Sequence, residues 1–359
     1  MCIDDEIDLA FGEIKHNIVS TVISEIPSID HIILYGSYGR GEGGWFYEND
    51  ILRPYNDFDL LLVVDDKFYL DKNLNEFRFS LALKVGIRWI DITLITKKDL
   101  IKTKNSIFGY DLKHGSTVIY GNPNILEIIP QLNNNIDLHE GEILFFTRLW
   151  TFVGSIGSIK SLAGDESRFF RNQMAKAIFS IIDVILLIER KYDSSYSQRL
   201  KIVSTQVNPP ISEGTLNIFE WALDERTNPK GIKMTASEVK DLYLKVANLY
   251  KHFMLILLSK KHKRNFNTIL QFNSFYRHSA RTNFKRLAYL LIKRNNNFER
   301  IYFTNIIQMN VLSILLREAD EQNMIAKSLI LFKKIKHEMP HDVDLSLVKA
   351  EVSKIRTEM

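Results

Sequence analysis

Two aspartates stand two apart in Asn56-Asp57-Phe58-Asp59-Leu60, and a third, Asp91, is flanked by Ile90 and Ile92. On an extended chain Asp57 and Asp59 project from one face, with Cβ atoms on the order of 6–7 Å apart at ~3.3 Å rise per residue. Carboxylates held that close repel, and they stay ionised near neutrality when a divalent cation binds both. An all-oxygen donor set suits Mg2+, with Mn2+ as the alternative. Asp91 on a neighbouring strand would be a third acid aimed at the same place, which outlines a two-metal site. Upstream, residues 34–44 read Leu-Tyr-Gly-Ser-Tyr-Gly-Arg-Gly-Glu-Gly-Gly. Gly36 at a strand end lets backbone approach a ligand, and the amides of residues 37–39 could open a helix toward a phosphate. Arg40 adds a fixed positive charge. Phosphates on the glycine-rich stretch and metal ions on the aspartates together describe a nucleoside triphosphate bound for in-line attack on its α-phosphorus. Each motif alone is weak evidence; their order between strands gives the set its weight.

The chain supplies strands to hold these acids. Residues 29–35 form an apolar run that meets Gly36-Ser37, residues 57–64 become continuously apolar, and residues 117–120 end at Gly121-Asn122-Pro123. Residues 88–95 alternate, with Trp89, Asp91 and Thr93 on one side and Ile90, Ile92 and Leu94 on the other. Helical spacing is present at 5–26, ending at Pro27, and at 70–85 between the second and third strands. From about residue 138 the pattern is helical: 140–159, 168–191, 212–223, 236–259, 281–293, 302–318, 323–336 and 345–354, punctuated by Gly164, Pro209-Pro210, Pro229 and Pro340. The expected fold is α+β. A small mixed sheet with helices over one face occupies residues 1–130 as the catalytic domain. An all-α domain follows at 131–359, subdivided near 209–230 and packed against the catalytic face.

Tyr35-Gly36-Ser37, then Asp57-Phe58-Asp59, then Asp91 reproduce an order of apolar residue with Gly-Ser, Asp-apolar-Asp and later strand acid. In this the chain resembles the nucleotidyltransferase superfamily that includes DNA polymerase beta and the minimal and aminoglycoside nucleotidyltransferases, as a bacterial two-domain member. The likeness covers roughly residues 30–122, where 110–121 is similar to the strand that closes the family's domain. It implies a magnesium-dependent enzyme that moves a nucleoside monophosphate from a triphosphate, ATP first among them, to a hydroxyl with release of pyrophosphate; the lone Cys2 separately suits a reducing, cytoplasmic compartment. Asp57 and Asp59 would hold both ions, and Asp91 would complete the one that lowers the acceptor's pKa. Gly36, Ser37 and Arg40 would hold the β and γ phosphates.

One departure is the nineteen residues, 38–56, between Ser37 and Asp57. The segment 43–55 therefore reads as an insertion over the active site. Its Trp45, Tyr47 and Arg53 either stack on a base and clamp phosphate or pack as a surface loop. A second likeness lies in 168–199, where Lys176 and Asp183 share a helix face and Tyr192, Tyr196 and Arg199 follow. This is similar to a helical segment after the catalytic domain in some bacterial nucleotidyltransferases, and it implies a nucleotide-binding Lys176. The competing reading has Lys176 and Asp183 facing solvent and the tyrosines capping the bundle.

The remaining residues set boundaries. At 359 residues, 45% apolar and 25% charged, the chain suits two or three globular domains and excludes disorder and fibrous classes. Cys2 stands alone, which excludes a disulfide framework and cysteine zinc sites. An acidic start and no long apolar run lead to the expectation of neither export nor a membrane span. No serine lies in Gly-x-Ser-x-Gly, no histidines show ligand spacing, and His31, His114 and His139 read as structural. If a general base exists it is sought among Glu140, Glu142 and Asp183. Charge is divided: residues 1–150 hold 14 Lys/Arg against 23 Asp/Glu, and residues 251–300 hold 12 Lys/Arg against Glu299 alone. That basic stretch, with Phe266, Phe272, Phe275 and Tyr276, would suit RNA, whereas a small molecule such as a sugar, or a protein side chain, are the other acceptors. A different class of reading is a catalytically silent nucleotide- or partner-binding module, as in a toxin–antitoxin-like pair. The presence of all three acids weighs against silence.

Overall fold

The computed structural model describes residues 3–65, 74–87, 89–282, 296–334 and 344–357. Its first elements are α1 (Ile3–Glu25), β1 (Ile29–Tyr35), α2 (Gly36–Gly39), β2 (Trp45–Glu48), β3 (Ile51–Pro54), β4 (Phe58–Val64), α3 (Leu74–Lys84), β5 (Ile90–Ile95), α4 (Lys97–Ile101), α5 (Ile107–His114) and β6 (Thr117–Tyr120). The apolar runs end at the expected glycines and prolines, so β1 and β6 keep the bounds read from sequence. The sheet order is β5-β4-β1-β6; β1 is antiparallel to β4 and β6, and β4 is parallel to β5. Side chains alternate in period two. Ile32, Leu34, Phe58, Leu60, Leu62, Ile90 and Ile92 join a core with Ile18 and Val22 of α1 and Leu81 of α3. Ile33, Leu61 and Val63 join a second core with Leu100 of α4 and Leu112 of α5. Helices thus cover both faces instead of one, as the unbroken Leu60–Val64 run requires, because neither face of β4 can be left in water.

The expected insertion is a hairpin, β2 with β3, turning at Asn49 and Asp50, both with positive φ. It packs against α1, Tyr38 and the turn after α3. Trp45 lies edge-on to Phe11 and Tyr38, the Tyr47 hydroxyl donates to Glu6, and Arg53 Nη1 donates to the Gly86 carbonyl at 3.0 Å.

Later elements are α6 (Leu138–Val153), α7 (Gly164–Glu189), α8 (Tyr196–Thr205), α9 (Glu213–Thr227), α10 (Ala236–His262), α11 (Ile269–Thr282), α12 (Asn296–Leu315), α13 (Glu321–Lys334) and α14 (Leu345–Thr357). Two compact units result: Met1–Asp137 with Glu189–Lys230, and Leu138–Ile188 with Gly231–Met359. The segment 189–230, which the sequence reading assigns to the helical domain, packs with the sheet. The second unit is built on buried rings, among them Phe145, Phe152, Tyr243, Tyr250 and Phe272. Across it runs a polar seam in which Asn273 Nδ2 donates to Asn310 Oδ1 at 2.9 Å and Asn310 Nδ2 to Ser328 Oγ at 3.0 Å. Most of the helix expected at 281–293, with Lys285 and Arg286, lies outside the described residues, as do 70–73, 335–336 and Arg88. Among the described residues no helix is long and apolar enough to cross a membrane.

Candidate functional site

Register brings two of the predicted acids side by side. Tyr35 is partnered with Asp59 across β1 and β4, and Asp59 with Asp91 across β4 and β5. Because Phe58, Leu60, Ile90 and Ile92 are buried in the first core, Asp59 and Asp91 share the other face. Both are half-buried; Asp57, one residue ahead of β4, is exposed. Asp91 Oδ1 accepts from Trp89 Nε1 at 2.8 Å, and Arg78 Nη2 donates to the Ile92 carbonyl. Burial, then the negative charges of Asp59 and Asp91, push the Tyr35 phenol up to about 12, so it stays protonated at neutral pH. Gly36 follows with φ +71°, and a Cβ there would collide with the Asp59 carboxylate, 3.0 Å from Cγ. Glycine at this turn is what allows Asp59 to lie against the strand end.

The donor chemistry of Asp57, Asp59 and Asp91 fits a hard divalent cation. Among the described residues no three His, Cys, Asp or Glu side chains are gathered closely enough to hold a metal ion. Register sets Asp59 beside Asp91, and the exposed Asp57 stands one residue ahead of β4.

The glycine-rich stretch is tied to α8 and α9. Ser37 and Tyr38 are buried, and Tyr38 stacks on Phe58 with centroids 4.2 Å apart. Arg40, its side chain 6% exposed, reaches Glu42 Oε2 at 3.4 Å and Asp111 Oδ2 at 3.5 Å, and its guanidinium lies 4.4 Å from the Tyr196 ring centroid. Glu42 accepts from the amides of Tyr196 at 2.8 Å and Ser197 at 3.2 Å, and from Ser195 Oγ at 2.8 Å, so it supplies the negative cap of α8. Arg199 Nη2 donates to both Asp111 oxygens at 3.0 and 3.1 Å, and the Tyr192 hydroxyl donates to Asp111 Oδ1 at 3.1 Å. Arg226 Nη2 donates to the Tyr196 hydroxyl at 3.4 Å. Next to it, Asn56 Nδ2 donates to the Arg226 carbonyl at 3.3 Å and the Tyr55 hydroxyl to Glu225 Oε1 at 2.8 Å, which clamps the approach to β4. Loss of water pushes the Tyr196 phenol up, but Arg226, Arg40 and Arg199 outweigh it and bring it down to about 8.

No family model and no curated protein matches this sequence. Among solved structures the chain is similar to the spectinomycin adenyltransferase from Enterococcus faecialis with ATP and spectinomycin, at 13% identity over 66% of this chain and 98% of that one, with a TM-score of 0.40. The likeness is slight.

Of the remaining sequence candidates, Lys176 is half-buried and Asp183 buried on α7, in the second unit, whereas Tyr192, Tyr196 and Arg199 belong to the first. Glu142 accepts from Lys261 and from His262 Nε2 at 2.8 Å. Burial opposes ionisation there, but these hydrogen bonds and charges dominate and hold its carboxyl at about 2, too weak a base to take a proton near neutrality. Phe266, Phe272 and Tyr276 are buried, so they cannot serve as stacking platforms for bases, and Lys261 is spent on Glu142. His31 is buried beside Asp30, and His114 packs 4.5 Å from Tyr110. Asp111, Glu225 and Arg226 are residues that sequence reasoning missed. No motif marks them, though Arg40, which reaches Asp111, stands within the stretch it singled out.

Proposed function

We propose that the protein is a metal-dependent nucleotidyltransferase whose polymerase-beta-like catalytic domain lies in the first unit. It transfers a nucleoside monophosphate, from ATP before other triphosphates, to a hydroxyl with release of pyrophosphate. The observation that carries this reading is the row Tyr35–Asp59–Asp91, two acids in register on one sheet face, with Gly36 kept bare beneath Asp59. Asp57, Asp59 and Asp91 would hold Mg2+ or Mn2+. Bound there, the ions would neutralise phosphate charge and lower the pKa of the acceptor hydroxyl. Gly36 and Ser37 would receive the triphosphate at the strand end, and Arg40 would join by exchanging a carboxylate partner for a phosphate. The acceptor is a hydroxyl of a small molecule, an RNA or a protein.

The test is mass spectrometry of products formed from each triphosphate with Mg2+ and a metabolite or RNA extract, alongside pyrophosphate release. Asp59→Asn is expected to lower transfer by on the order of 10²–10³-fold, the size of losing one preorganised electrostatic contact to developing charge. Unchanged transfer in Asp59→Asn, or no pyrophosphate release with any triphosphate, overturns the reading.

A further inference from the structure

Asp91 lies on β5, an edge strand with β4 on one side only, so no further strand holds its side chain from beyond. Two residues before it stands Trp89, whose indole Nε1 donates to Asp91 Oδ1 at 2.8 Å. We propose that Trp89 is the positioning residue of Asp91, holding one carboxylate oxygen so that the other is presented to the divalent ion. This rests on the metal-dependent reading above and adds to it the residue that prepares one ligand.

The neighbouring donors are spent elsewhere. Thr93, two residues beyond Asp91, is hydrogen-bonded to the Tyr35 phenol. The terminal nitrogens of Arg78 donate to Asn75 Oδ1 at 3.0 Å and to the Ile92 carbonyl. Among the described residues this leaves Trp89 Nε1 as the donor to Asp91, and Oδ2 accepts from none of them. A half-buried carboxylate at a sheet edge loses rotamer freedom when it takes an ion, and a hydrogen bond made beforehand removes part of that cost. Indole suits the task, because its N–H only donates and has no lone pair to offer a cation. It fixes the carboxylate without competing for the metal.

Electron spin resonance of free Mn2+, titrated into the full chain without nucleotide, tests this apart from catalysis. Trp89→Phe keeps a ring and removes the donor. It is expected to weaken Mn2+ binding by about tenfold, the lower end of what losing a ligand's hydrogen-bond partner costs, since Trp89 is 46% exposed and water can reach Asp91 in its place. Trp89→Gln carries an Nε2–H as many bonds from Cβ as the indole N–H, and should return to within about threefold of the wild type. The position is exposed, so an unaltered thermal transition confirms that both variants fold. Mn2+ binding that Asp59→Asn weakens and Trp89→Phe leaves unchanged overturns the inference and keeps the metal reading. Binding as weak in Trp89→Gln as in Trp89→Phe also overturns it, because a donor would then not be what matters. No Mn2+ binding by the wild type, or binding that Asp59→Asn leaves untouched, removes both.

Discussion

The first unit gathers three guanidinium groups around one phenol, and the second spends its cations one at a time. In the first, Arg40, Arg199 and Arg226 are all nearly excluded from water and converge on Tyr196. In the second, Lys251 pairs with Glu318 at 2.5 Å, Lys261 with Glu142, and Arg264 covers Phe275 at 5.5 Å, while Lys263 is exposed. The sequence is far more basic in the second region, yet the electrostatic leverage sits in the first. Charges act strongly on one another where water is excluded and several converge, and a solvated run of lysines does neither.

The sharpest way to break this contrast is to remove one cation from each cluster and compare unfolding by denaturant. Arg199→Met strands Asp111 beside Arg40 and is expected to cost about 2–3 kcal/mol, somewhat below a fully buried pair because the Asp111 side chain is 21% exposed. Lys261→Met leaves His262 on Glu142 and should cost about 1 kcal/mol. Equal losses would erase the distinction. A second test reads the cluster through Tyr196 itself: phenolate absorbance should show one group ionising near pH 8, and Tyr196→Phe should remove that step. The folded phenol loses its proton more easily than the unfolded one, whose value is about 10, so ionisation favours the folded state. That contribution is absent below about pH 8, grows from there to about 10, and is complete above it. The smallest effect belongs to Lys263→Ala, which should leave stability within about 0.5 kcal/mol, as for any solvated charge.

Much of the sheet was legible because its strands are apolar runs cut off by glycine or proline, as at Tyr35-Gly36 and Tyr120-Gly121. Period-two spacing put Asp57 and Asp59 on one face, but only pairing between strands could set Asp59 in a row with Asp91, and Asp57 lies just ahead of β4. What was illegible is long-range. Helix α8 has a local N-cap in Ser195, but its first amides also donate to Glu42, a residue no local window contains. Asp111, Arg199 and Arg226 meet only in the folded chain. In α11 the aromatics Phe272 and Tyr276 were visible as members of a basic stretch, but a buried aromatic and a base-stacking one look alike in sequence, and burial decided between them.

The tie from Glu42 to the amide of Tyr196 spans 154 residues, and this sets an order on how the protein can be made. At the usual 5–20 residues per second, the sheet leaves the ribosome on the order of ten seconds before α8 exists. During that interval Arg40, Glu42 and Asp111 have no Arg199 or Tyr196 to meet, and α6 and α7 must emerge before the partners do. The first unit is thus completed only after part of the second has been synthesised, so a chain that stops at residue 137 would carry the row of acids without the helices that enclose its glycine-rich stretch.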